Sequence, residues 1–257
     1  MIIDSHCHIF PESFQDRRIL LTQLDKSFKS LFENPKASLC TTQQLIVDMD
    51  RDWVVISLIM GIGWTDKNLG KEANDHIIQS VKEYPDKLVG FCSVNPLWGD
   101  QAIREIERCI TAGLKGIGEL HPDTQDLDIT NKEIMEPVMD TALDLGLPVV
   151  IHSSEPVGHS YPGKGNTTPD KLLAFINNFP NNKIICAHWG GGLPFYDLMP
   201  EVNENLKNVY FDTAASPFLY DQRIFNVVSS LTSPERVILA SDYPLIPHTR
   251  VYKQLDK

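Results

Sequence analysis

Eight short apolar runs, each followed by a longer stretch of helical period, constrain this chain more than any other feature. The runs span residues 2–9, 54–60, 88–95, 116–121, 149–153, 183–188, 208–214 and 236–241. Several are almost unbroken in apolar residues, as in VVISLIM (54–60), PVVIH (148–152) and KIICAH (183–188). That pattern suits strands buried on both faces, the environment of a parallel sheet covered by helices. Residues 43–50, 71–84, 100–111, 132–145, 169–178, 194–205 and 221–230 read as helices. Asp100, Asn131 and Thr168 sit where caps belong, and Gly113 and Gly146 where helices stop. Eight such repeats in 257 residues predict an α/β fold, a (β/α)8 TIM barrel, with 1–257 as one domain. The rival, a doubly wound open sheet, lacks its Gly-rich phosphate turn after the first strand.

Composition excludes several function classes. Lys and Arg number 23 against 34 Asp and Glu, a net charge of −11, so the surface repels phosphate backbones and nucleic acid is not expected as a partner. No apolar run approaches the roughly 20 residues that span a bilayer. Asp4, His6 and His8 stand where the apolar stretch of a signal peptide would lie, which predicts a cytoplasmic protein with no membrane partner. The five cysteines contain no CxxC pair and read as reduced residues, mostly of the core. Two connections are too long for turns. Residues 10–42 form an insertion after the first strand, with a helix expected near 18–32, and residues 154–168 are rich in Gly, Pro and Ser. Both leave carboxyl ends of strands and are candidate lids or pocket walls. The last helix, near 249–257, is short and covers the final strand thinly, which is compatible with a homo-oligomer.

The chemistry lies where polar side chains interrupt the apolar strands. With a period of two, His6 and His8 of the first strand point to one side, and Asp4 falls on that side one step deeper. The fourth strand ends in Glu119 and His121, the fifth in His152, the sixth in His188 and the eighth in Asp242. Taken singly, each has an ordinary reading as a rim residue, cap or buried hydrogen-bonding group. Together at one end of a barrel they form a metal-binding set, because buried imidazoles and carboxylates without an ion would be costly. Around it, His121, His159, Trp189 and Tyr243 are candidate substrate-binding residues, with Phe218 and Lys164 placed nearby.

The segments IIDSHCHIF (2–10), GLKGIGELHP (113–122), VVIHSSEP (149–156), KIICAHWGG (183–191), VYFDTAASPF (209–218) and RVILASDYPL (236–245) carry a family likeness. The chain resembles the amidohydrolase superfamily, in its amidohydrolase-2 branch, the group similar to aminocarboxymuconate-semialdehyde decarboxylase. The resemblance implies a barrel holding a catalytic divalent ion, usually zinc and sometimes manganese. It implies His6, His8, His152 and Asp242 as ligands, with His188 as catalytic acid/base or further ligand. Glu119 departs from the one-ion pattern, since relatives such as TatD-like deoxyribonucleases use a strand-borne Glu to hold a second metal. One ion or two therefore stays open.

Glu119 tilts the reading toward hydrolysis of a small amide, lactone or related carbonyl compound. An ion held this way can lower the pKa of its water to about 7. Asp242 would orient the hydroxide and take its proton, and His188 would stabilise the oxyanion or protonate the leaving group. The alternative is a non-oxidative decarboxylase of a small carboxylic acid on the same scaffold. A silent protein that keeps the ion for stability is the third reading.

Overall fold

The structure is a computed structural model that describes residues 1–255. Eight parallel strands run in sequence order: β1 (Ile2–His8), β2 (Val54–Met60), β3 (Leu88–Gly90), β4 (Ile117–Leu120), β5 (Val149–Ile151), β6 (Ile184–Cys186), β7 (Val209–Asp212) and β8 (Val237–Ile238). The first three form one sheet and the last five another. Two seams join them into a barrel. At one, Lys115 N donates to Gly90 O (2.8 Å) and Gly118 N to Cys92 O (2.8 Å). At the other, Ser5 N donates to Leu239 O (3.0 Å), Asp242 N to His6 O (3.0 Å) and His8 N to Tyr243 O (2.7 Å). The second seam places the β1 histidines and Asp242 on neighbouring backbones.

Local chemistry explains the helices. Thr41 and Gln44 close a reciprocal capping box on helix Thr42–Asp52, and Asp66 accepts from Asn68 N and Leu69 N at the start of Lys67–Glu83. Helices Asp100–Thr111, Lys132–Asp144 and Pro169–Asn178 follow the sequence pattern closely. Gly99 rather than Asp100 occupies the cap of the first of these, whereas Asn131 caps the second as expected. Two expected helices differ. Residues 194–205 divide into a 3-10 turn, Leu193–Tyr196, and a helix, Pro200–Asn205, that starts on its own proline. The last-but-one helix begins at Ile224 rather than 221. The final helix runs from His248 to Leu255; residues 256 and 257 of the expected span lie outside the described residues. No helix among the described residues is long and apolar enough to cross a membrane. All five cysteines are free and buried, as expected.

The insertion holds short helices Ser13–Asp16, Arg18–Leu24 and Lys26–Phe32 in place of one. Asp25 makes the break: its Oδ1 caps the third helix through Phe28 N (2.8 Å), and its Oδ2 accepts from Thr65 N and Asp66 N (both 2.8 Å). Phe10, Phe14, Phe28 and Phe32 pack with Trp64 beneath these helices, with most ring pairs edge-to-face and Phe28 stacked on Trp64. The insertion is therefore a wall with its own apolar core.

After β6 the chain turns sharply. His188, Trp189, Gly190, Gly191 and Gly192 all have positive φ, between 55° and 95°. A Cβ on Gly191 would stand 2.4 Å from the carbonyl oxygen of Ser154. Only glycine fits there, because both the left-handed backbone and the close approach exclude a side chain. Gly191→Ala is expected to cost about 1–2 kcal/mol from backbone conformation alone. At about 2–4 °C per kcal/mol for a chain of this size, thermal unfolding followed by circular dichroism should show a midpoint several degrees lower. An unchanged midpoint would contradict the contact.

Candidate metal centre

Glu119 leaves the carboxyl end of β4 into a ring of imidazoles. Its Oε1 lies 3.0 Å from His152 Nδ1 and 3.5 Å from His188 Nε2. Its Oε2 lies 3.8 Å from His6 Nε2 and 3.9 Å from His8 Nε2. Asp242 Oδ1 closes the other side, 3.4 Å from His8 Nε2 and 3.9 Å from His6 Nε2. All six side chains belong to buried residues, so six of the residues singled out from sequence meet at one point.

Three of the four imidazoles are oriented by their remaining nitrogen. His6 Nδ1 donates to Asp212 Oδ2 (2.8 Å), His8 Nδ1 to Met60 O (3.2 Å) and His188 Nδ1 to Ala214 O (3.2 Å). Those bonds turn the Nε2 atoms of all three inward as bases, the form that ligates metals. Asp212 is a residue the sequence reading passed over. It interrupts apolar β7 at its carboxyl end, the same signal that marked the others, and its Oδ1 also accepts from His188 N (2.8 Å) and Ala214 N (3.0 Å).

The donor set fits a divalent cation. His6 Nε2 faces His8 Nε2 at 3.1 Å, and His188 Nε2 faces His152 Nδ1 at 3.1 Å. Imidazole nitrogens sharing one tetrahedral ion at 2.0–2.1 Å lie roughly 3.4 Å apart, close to these spacings. His152 Nε2 is buried without a hydrogen-bond partner among the described residues. The donors form two trios, His6–His8–Glu119 and Glu119–His152–His188, with Glu119 common to both.

Without an ion, protons supply the positive charge. Burial works against protonation of His6, but the charges of Asp212 and Glu119 outweigh it and push His6 up to about 10. Burial likewise opposes His188, which the Glu119 bond and Asp242 push up to about 9. For Glu119, burial favours the neutral acid, yet the charges of His152 and His6 hold it well below the usual carboxylate range. Asp242 is lowered in the same way, with burial overcome by the His8 hydrogen bond and by His188 and His6.

Four expectations need correction. Asp4 does not share the side of His6 and His8, because β1 shifts register between Asp4 and Cys7. It serves the backbone instead: Oδ1 accepts from His6 N (3.2 Å) and Ser241 N (2.9 Å), and His248 Nε2 stands 3.4 Å from Oδ2. Trp189 is fully buried against Phe225, with Nε1 donating to Ser216 Oγ (3.0 Å), since the left-handed turn carries it into the apolar layer. Tyr243 turns toward helix Thr42–Asp52, where its hydroxyl donates to Asp48 Oδ2 (2.6 Å) and its ring stacks on His248. It lines a separate cavity of about 430 Å³ with Cys40 and Gln44. His159 is exposed on the 154–168 loop beside Tyr161, and Lys164 bonds that loop's own carbonyls. Phe218 is also at the surface, under the Arg250 guanidinium. His121 alone of the four candidate substrate residues reaches the centre, its ring stacked on His152 at 3.9 Å.

A family model described as Amidohydrolase matches residues 3–257. The chain belongs to the amidohydrolase family. It is 26% identical over 205 residues to a 2-amino-3-carboxymuconate-6-semialdehyde decarboxylase of Dictyostelium discoideum, covering 69% of this chain and 56% of that protein. It is 24% identical over 217 residues to a 6-methylsalicylic acid decarboxylase of Penicillium expansum, covering 72% and 66%. The matches thus span less than two thirds of either relative's length. A solved 5-carboxyvanillate decarboxylase of Novosphingobium aromaticivorans, complexed with manganese and 4-hydroxy-3-methoxy-5-nitrobenzoic acid, superposes with a TM-score of 0.80 at 20% identity. That match covers 100% of this chain and 91% of the other, and it establishes the barrel fold of this amidohydrolase.

Asp212→Asn should weaken metal binding about 10–100-fold, the usual effect of losing such an outer partner, while the circular dichroism spectrum stays unchanged. Metal titration of the apoprotein checks this, and equal affinity in the variant would deny Asp212 its role. The pH dependence has a definite sign. The raised pKa values of His6 and its neighbour His188 stabilise the apoprotein fully below 6.5, and that contribution fades as pH rises through about 9 and 10. Unfolding midpoints of the apoprotein should therefore fall across that window and recover on adding a divalent metal.

Proposed function

We propose that this protein is a metal-dependent, non-oxidative decarboxylase of a small unsaturated or aromatic carboxylic acid. The observation that carries this reading is the pair of curated relatives. Both are decarboxylases, and each match covers more than two thirds of this chain. His6, His8, His152 and Asp242 would hold the ion. When bound, it would supply a positive centre for the substrate's oxygens and for the negative charge left as carbon dioxide departs. Manganese is favoured over zinc on two grounds: the carboxylate-bearing donor set, and the manganese in the solved 5-carboxyvanillate decarboxylase.

The remaining steps belong to the chain's own groups. The bond between the substrate carbon and its carboxylate breaks, carbon dioxide leaves, and a proton must reach that carbon. His188 would supply it, a reading supported by Nδ1 bonded to Ala214 O and Nε2 directed to the centre beside Glu119. Glu119 holds His152 and His188 in register, and the buried surroundings keep competing water away.

Hydrolysis of a small amide or lactone is the second reading, and one observation favours it. Glu119 lies between two histidine pairs, the arrangement that suits two ions sharing a carboxylate.

Two measurements separate the readings. Manganese-loaded protein offered a panel of hydroxybenzoic acids should release carbon dioxide, with Asp242→Asn losing most of that activity and folded normally. Release from none of the acids, with cleavage of lactones or amides, would replace this reading by the second. Metal content by plasma mass spectrometry should be near one ion per chain in both the unaltered protein and Glu119→Gln. Two ions falling to one in the variant would mean a bridged pair and favour hydrolysis.

A further inference from the structure

The register shift that takes Asp4 off the face of His6 and His8 brings it to the side of Cys7, behind the metal centre. There the final helix supplies His248, and a ligand atom from each of Asp4, Cys7 and His248 lies within 4.8 Å of the other two. None of the three belongs to the donor trios of the centre, which draw on His6, His8, Glu119, His152 and His188. All three are buried, Cys7 and His248 completely.

The polar groups left unused around this cluster mark it as a site. His248 Nε2 stands 3.4 Å from Asp4 Oδ2, and Nδ1 stands 3.4 Å from Asp52 Oδ2. Neither contact is aligned as a hydrogen bond, and both nitrogens are unpartnered among the described residues. Two buried hydroxyls share that condition: Ser57 Oγ, beside the Cys7 thiol, and Tyr252 Oη, within reach of the charges of Asp4, Cys7 and Asp52. So many orphaned polar atoms around one thiol and one carboxylate are costly unless something binds among them. The donor types say what that is. A thiol is a poor hydrogen-bonding group, whereas a thiolate, an imidazole and a carboxylate together suit zinc. Such donors stand roughly 3.4–3.6 Å apart around one tetrahedral zinc, and the His248–Asp4 spacing of 3.4 Å matches. Asp4 and the Cys7 thiolate would balance the charge of a divalent ion. Asp52 occupies the position of an outer carboxylate that receives Nδ1–H while Nε2 ligates.

We propose that Asp4, Cys7 and His248 form a second metal site, specific for zinc, which ties the final helix to the first strand at the seam where the barrel closes. Binding forms a zinc–sulfur bond and releases the thiol proton to solvent, with no change of oxidation state. The site is independent of the decarboxylase reading. Its zinc is additional to the ion of the centre, is told from manganese by element, and does not change in Glu119→Gln.

The test strips the protein with a chelator, reloads it with manganese and titrates it with cobalt(II), which replaces zinc and gives a near-ultraviolet charge-transfer band when a thiolate binds it. The candidate ligands of the catalytic centre include no cysteine, so that centre is silent in this band. The unaltered protein should develop the band, and added zinc should remove it. Cys7→Ser should abolish it, and His248→Gln should lose it at the same cobalt concentration. Absence of the band in the unaltered protein would overturn the proposal, as would an undiminished band in either variant. Should neither variant fold, Asp52→Asn, altered only behind His248, takes their place. It should need about 10–100-fold more cobalt for the same band, the usual effect of losing an outer carboxylate. An unchanged requirement would deny His248 its place as a ligand and overturn the site.

Discussion

The arrangement of the whole centre follows from one buried carboxylate. Glu119 approaches four imidazoles within 4 Å and is almost sealed from solvent. A carboxylate in that position costs several kcal/mol in lost hydration, and only positive charge nearby can offset it. The barrel brings that charge from separate strand ends, His6 and His8 from β1 and the others from beyond β5 and β6. The inward aim of His6, His8 and His188 then depends on an acceptor behind each ring, taken from β2, β7 or the chain just past β7. Closing the barrel and building the centre are consequently one event: a strand out of register would withdraw both a side chain of the centre and a neighbour's support.

A second layer of charge stands outside the first. Asp4 links the backbone of His6 to that of Ser241, next to Asp242, and so sets the spacing between the candidate ligands of the first and last strands. His248 lies between Asp4 and Asp52, 3.4 Å from each, and connects the final helix and helix Thr42–Asp52 to the same point. Burial raises the Asp4 carboxyl above its ordinary range, against the pull of His248 and Ser241. The apolar core supports the barrel generally, but this polar layer specifies how its two ends of sequence meet.

Much of this was legible in the sequence because the signals were periodic. Eight apolar runs at barrel spacing gave the architecture, and polar residues at their carboxyl ends gave six of the centre's side chains. What escaped was aperiodic. A register shift in β1 moved Asp4 away from the alternation that placed it beside His6. Five consecutive left-handed residues after β6 sent Trp189 into the core, and nothing in a strand-like run of letters announces such a turn. Asp212 showed the right signal but stands behind the ligands, where its value depends on a partner 206 residues away in the chain. The choice between one ion and two hangs on how one carboxylate divides itself between two pairs of rings, which spacing along a sequence does not encode.

The aromatic wall under the insertion has a consequence for traffic into the site. Five large rings locked edge to face and stacked behave as a solid block, and Asp25 bolts that block to the chain after β2. The insertion is thereby held rigidly against the barrel's carboxyl end. The 154–168 loop, which meets the insertion where Gly163 approaches Leu31, has no such filling: its far end is held by Asp123 through Asn166 N and Thr167 Oγ1, and its middle by Tyr161 on Glu155. Differences in the size or shape of a bound compound are more easily accommodated by such a loop than by the wall, so variation in what the site accepts is to be sought in the loop.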